Sequence, residues 1–213
     1  MTAAINRVLL PSAAVIAASL VLAIPGYYGT MTLWYKTGID RTMLLAGQYC
    51  GLTALILIYL QIVIVAGRSV LNRIFGAVNL LRCHRINGAA IAVAAVSHML
   101  LVLVPEGIAN LPVGWKFWPE MLGAALLMFV LLVAVTSYFR QMIRLPYNLW
   151  RVLHRFAGYL VLVLATIHAL FVSDSFEQTV PRTLVISLFL LVSIVSIAAK
   201  FRSTRSGQTS PPN

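Results

Sequence analysis

The chain contains four histidines, His84, His98, His154 and His168, and their spacing repeats. One pair closes the segment HRINGAAIAVAAVSH, the other closes HRFAGYLVLVLATIH, and within each pair the two are fourteen residues apart. Neutral imidazole is a metal ligand, a hydrogen-bonding group and a proton carrier at physiological pH. Fourteen residues of helix advance about 21 Å and bring the second side chain back to within roughly 40° of the first. Each pair therefore lies on one helix face at two depths.

The helices that must carry them are membrane helices. Of the 213 residues 61% are hydrophobic and only 10% charged, with a mean hydropathy of +0.92, against about a quarter charged in soluble domains. Six apolar runs, roughly 8–26, 43–66, 86–104, 121–139, 152–172 and 183–200, have the length of spanning helices. They are too long for barrel strands and lack alternation, so backbone polar groups must be satisfied within helices. The expected fold is an all-α integral membrane protein: one six-helix bundle over residues 1–201, followed by a polar, disordered cytoplasmic tail at 202–213. Cys50 and Cys83 are read as packing residues without a disulfide.

Charge sets the orientation. Arg7, Arg68, Arg73, Arg82, Arg85, Arg140, Arg144, Arg151, Arg155, Lys200, Arg202 and Arg205 fall on one side, twelve of the sixteen basic residues. Lys36, Arg41, Lys116 and Arg182 fall on the other, with all five acids outside the runs: Asp40, Glu106, Glu120, Asp174 and Glu177. The positive-inside rule puts both termini in the cytoplasm, in a bacterial-type inner membrane. The net charge of +11 is thereby explained by topology and lipid contact, with no nucleic-acid partner required.

The third and fifth spans then run the same way, so His84 and His154 share the inner level and His98 and His168 the outer. Two ligands per level, with no carboxylate or thiolate beside them, suit neither a zinc nor a non-haem iron site. A haem brings four equatorial nitrogens and lacks only two axial ligands, so two haem b groups stacked between the third and fifth helices are expected. Gly88 and Gly158, each four residues after an inner histidine, leave room for a flat macrocycle; Ala95 and Ala165 precede the outer pair by three. Haem propionates need cationic partners: Arg82, Arg85, Arg151 and Arg155 inside, Arg41 and then Lys116 outside. With both axial positions filled, the expected chemistry is outer-sphere electron transfer.

Six spans with a paired H-x13-H on the third and fifth resemble the ferric reductase-like transmembrane domain. That superfamily includes NADPH oxidases, metalloreductases and the haem-binding subunit of periplasmic methionine sulfoxide reductase systems. LPYNLWRVLHRFAGYLVLVLATIHAL (145–170) resembles the family's fifth helix, with Trp150 four residues before the first ligand; TGIDRTMLLAG (37–47) is loosely similar to an element opening its second helix. The resemblance implies electron flow from a cytoplasmic flavin or NAD(P)H donor to an extracytoplasmic acceptor: ferric iron, oxygen or a periplasmic reductase. No flavin or nicotinamide motif stands in these residues, so the resemblance implies either a separate flavoprotein donor or a larger reductase of which these residues are the membrane part. Two other readings stay open: a quinone-linked cytochrome b subunit, and a transporter using its histidines as polar pore residues. The missing intramembrane acids weigh against the transporter.

Overall fold

The computed structural model describes residues 2–107 and 112–208, and among them there is no strand. Seven helices follow in order: α1 (Thr2–Thr32), α2 (Gly38–Ala66), α3 (Arg68–Phe75), α4 (Ala77–Glu106), α5 (Trp118–Tyr138), α6 (Tyr147–Val172) and α7 (Thr179–Gln208). All but α3 are long and apolar enough to cross a membrane, giving six candidate spans and a multi-pass membrane protein.

The helices overrun the apolar runs. α2 takes Asp40 and α5 takes Glu120 into their first turns, and α4 extends to Glu106. Acids at an N-terminus favour the helix dipole, so the polar first turn costs the helix nothing. The hydrocarbon-length centres remain free of acids. Between the second and third runs the chain forms α3, RSVLNRIF, which buries Ile74 and leaves Arg68 and Arg73 exposed. A short amphipathic helix of this kind fits the membrane boundary. Gly76, at φ 81°, turns the chain from α3 into α4, and Gly107, at φ 82°, ends α4. Both are left-handed positions that favour glycine. α7 continues to Gln208, into the stretch read as a tail; residues 209–213 lie outside those described.

α2 is the central strut, packing against α1, α4, α6 and α7. Its Leu52, Leu55, Ile58 and Ile62 join Val21 and Ile24 of α1, Val161 and Leu162 of α6, and Val185 of α7 in the buried core. Tyr59 of α2 and Thr166 of α6 share a buried 3.0 Å hydrogen bond. Gly47 is there for close approach: a Cβ would lie 3.0 Å from Val102 of α4. In lipid, where helix contact gains little from water exclusion, such fit is what holds helices together.

Around the functional centre four helices form a ring. α2 and α5 each pack against both α4 and α6, yet neither diagonal, α4 to α6 or α2 to α5, makes a close backbone approach among the described residues. The α1–α2 connection is clipped to the end of α4: Lys36 Nζ donates to the Pro105 carbonyl at 3.0 Å and stands 3.6 Å from Glu106, and Tyr35 Oη donates to Glu106 at 3.4 Å. Burial and then the Glu106 carboxylate push the Tyr35 phenol above its ordinary value.

Candidate functional site

All four histidines point into the ring of helices as two couples. His84 and His154 have ring centroids 6.1 Å apart at an interplanar angle of 71°; His98 and His168 are 6.2 Å apart at 74°. Because 84 meets 154 and 98 meets 168, α4 and α6 run in the same direction. No group of three or more histidine, cysteine, aspartate or glutamate side chains converges among the described residues, so each couple stands as a pair.

Each ring leans on a neighbouring helix, α4's rings on α2 and α6's on α5. His98 Nδ1 lies 2.8 Å from the Gly47 carbonyl, and His168 Nδ1 lies 2.8 Å from the Pro119 carbonyl. A carbonyl only accepts, so in both rings Nδ1 carries the hydrogen and Nε2 the lone pair. His154 Nδ1 is 3.2 Å from Ser137 Oγ, whose own proton goes to the Val133 carbonyl at 2.6 Å. Ser137 must then accept, and the same tautomer follows. His84 is held differently. Asn87 Nδ2 donates to Gln61 Oε1 at 2.6 Å, which turns the Gln61 amide nitrogen toward the His84 carbonyl at 3.0 Å and His84 Nε2 at 3.4 Å. Here too Nε2 is the acceptor, while His84 Nδ1 is buried without a partner. Four rings thus share one tautomer, each with its ligand-competent nitrogen unprotonated.

The other expected site residues lie as follows. Gly88 and Gly158 are half-buried and roomy: a Cβ would find one heavy atom within 4 Å at each, Gln61 Nε2 at 3.4 Å and Ile62 Cδ1 at 3.7 Å. Arg82, Arg85, Arg151 and Arg155 are exposed in the N-terminal parts of α4 and α6, Arg41 is half-buried near the start of α2, and Lys116 is exposed just ahead of α5. Arg151 lies over the Tyr147 ring at 5.6 Å. Both cysteines are free thiols.

Several members of the site carried no signal in spacing. Ser137, Gln61, Asn87 and Pro119 become partners of the histidines only when α2 and α5 are placed beside α4 and α6. Arg140, read as a topology charge, lies 5.7 Å over Trp150, which stacks on His154 with centroids 4.9 Å apart. Gly51 lies directly under the His98 ring.

Two imidazoles on one iron place their ligand nitrogens about 4 Å apart, two bonds of ~2 Å, and their ring centres roughly 6 Å apart. The couples at 6.1 and 6.2 Å match that requirement, and the open faces of Gly88 and Gly158 leave space beside the inner couple. The residues present therefore fit a bis-imidazole haem. No curated protein and no solved structure matches the chain. A family model, the ferric reductase like transmembrane component, matches residues 50–166, from the middle of α2 to two residues short of His168. That stretch is more than half of the chain, and the protein belongs to the ferric reductase-like transmembrane family.

Proposed function

We propose that the protein conducts electrons across the membrane through two b-type haems, the inner held by His84 and His154 and the outer by His98 and His168. One observation carries the reading: two imidazole couples, each at the separation an iron porphyrin requires, stacked about 21 Å apart along parallel helices. A haem supplies a one-electron iron couple in a macrocycle whose edge can pass the electron on without bond making. The protein's residues do the rest. Nε2 of His98, His154 and His168 is kept free of a proton by the partner at Nδ1, and that of His84 by the Gln61 amide facing it, while the apolar walls of α2 and α5 keep water from the path. Arg82, Arg85, Arg151 and Arg155 stand where inner propionates would emerge, and Arg41 where outer ones would.

In this reading both termini are cytoplasmic, a partner flavoprotein delivers electrons at the arginine-rich face, and the acceptor lies beyond the outer couple. Haem quantification with an optical redox titration of the purified chain tests it. About two haems per chain, titrating in two steps, is the expected result; a chain that purifies without haem refutes it.

A second reading has its own support, a quinol donor inside the membrane. An open groove of about 460 Å³ at the inner half of α4 is lined by Leu57, Ile86 and Ala90 together with Asn79, Arg82 and Asn87. Asn87 connects it through Gln61 to His84. Quinol-driven haem reduction in membranes lacking a flavoprotein would favour this donor.

A further inference from the structure

The two outer imidazoles are seated by the same device on two different helices. On α2 the accepting carbonyl is Gly47 and the residue one turn on is Gly51; on α5 the accepting carbonyl is Pro119 and the residue one turn on is Gly123. In each case the imidazole lies in the notch where the second residue's side chain would be. A Cβ on Gly51 would meet His98 Nδ1 at 2.8 Å and Cε1 at 3.0 Å, and all three of its nearest atoms belong to that ring. A Cβ on Gly123 would meet His168 Nδ1 at 2.8 Å and Nε2 at 2.9 Å, again with only the imidazole nearest. Side chains on a helix point back toward its N-terminus, over the preceding turn. A side chain at i+4 therefore covers the approach to the carbonyl at i. Only glycine leaves that carbonyl open to a ring arriving from a neighbouring helix.

We propose that Gly51 and Gly123 are positioning residues for the outer haem, each forming a notch that admits an imidazole to a helix carbonyl and aims its Nε2 at the opposite ring. The inference rests on the two-haem reading and adds to it a division of labour: α4 and α6 provide the ligands, α2 and α5 provide their seats. The inner couple has no equivalent. His154 rests on a serine hydroxyl, His84 against a glutamine amide, and the nearest glycines to that level, Gly88 and Gly158, touch neither ring.

The steric demand is direct. Restoring an ordinary 3.4 Å contact from 2.8 Å moves the His98 ring by about 0.6 Å, which stretches its 2.8 Å carbonyl bond to the limit of hydrogen bonding, and the His168 ring, whose Cε1 lies closer still to the Gly123 position, must move further. Outer-shell partners of this kind commonly govern metal affinity by about 10–100-fold.

The test uses the full haem-loaded chain with Gly51→Ala and Gly123→Ala made separately. Electron paramagnetic resonance and redox titration resolve the two haems, and transfer of haem to apomyoglobin measures how firmly each is held. In either variant the outer signal should change and its haem should leave roughly tenfold faster, while the inner signal persists and reports an intact fold. Unchanged outer signals and transfer rates in both variants overturn the proposal. Should both alanines prevent folding, ¹⁵N spectra of ring nitrogens in the unmodified, reduced chain decide. Outer Nδ1 resonances displaced by strong hydrogen bonds, relative to His84, support the seats; resonances matching His84 overturn them. A chain without haem would instead sink the two-haem reading, a separate failure.

Discussion

Replacing His98 by alanine should remove one haem and leave the other intact. The His98 and His168 centroids are 6.2 Å apart, whereas the nearest other imidazoles on α4 and α6 lie fourteen residues, about 21 Å, along each helix. No ring can swing across that distance, so the surviving His168 would be a lone axial ligand on an iron that needs two. The truncation itself is mild for the fold: the Gly47 carbonyl stays within the α2 hydrogen-bond ladder when the imidazole leaves, so no buried group is orphaned. Haem per chain should fall from about two to about one. His168→Ala should do the same, and the His98→Ala/His168→Ala double variant should lose no more than either single one, because the two act as a unit. By contrast His84→Ala combined with His98→Ala should abolish haem altogether, having broken both couples. Haem extraction against protein concentration gives the stoichiometry, and low-spin ferric signals give the ligation. Retention of two low-spin haems by His98→Ala, or loss of both, would refute the pairing.

Further outcomes follow from individual contacts. Tyr59→Phe deletes the buried bond to Thr166 and should cost about 1 kcal/mol in unfolding measured in detergent or bilayer, with haem content unchanged. Ser137→Ala removes the acceptor at His154 Nδ1 and should raise the inner haem's potential, by roughly 40 mV if the bond is worth about 1 kcal/mol, without moving the outer one. Lys36→Ala breaks a half-exposed ion pair with Glu106 together with the bond to the Pro105 carbonyl, and should cost about 1 kcal/mol of stability. The Tyr35 phenol is held above its ordinary value of 10.0 in the folded state. Its contribution to stability should therefore be complete below pH 10 and decline as pH rises through the folded value, a trend absent in Tyr35→Phe.

The histidine couples were legible because helical period converts sequence spacing into depth and facing. Fourteen residues, repeated on two spans of the same direction, leave little geometric freedom, and the apolar runs announce themselves by length. Helix ends were less legible: Asp40, Glu106 and Glu120 look like loop residues by polarity, but first turns favour the acids at 40 and 120, Lys36 pairs with Glu106 at the end of α4, and the helices extend past the hydrocarbon. α3 was missed because eight amphipathic residues among arginines resemble a topogenic loop. Hardest to see were Gln61, Ser137, Pro119, Gly51 and Gly123. They sit on helices adjacent in space to α4 and α6, and no periodicity within one segment encodes which neighbour it will meet. Gly88 and Gly158 drew notice by their spacing from His84 and His154; Gly123 had no such cue, since its histidine lies forty-five residues away.

A main-chain oxygen cannot be replaced by a point substitution, whereas a hydroxyl or an amide can. With its outer level anchored on two carbonyls and its inner level on Ser137 and Gln61, the protein is unequally adjustable along its length. Single changes of residue type can retune the His84–His154 end, while the His98–His168 end keeps a fixed setting unless a helix itself shifts.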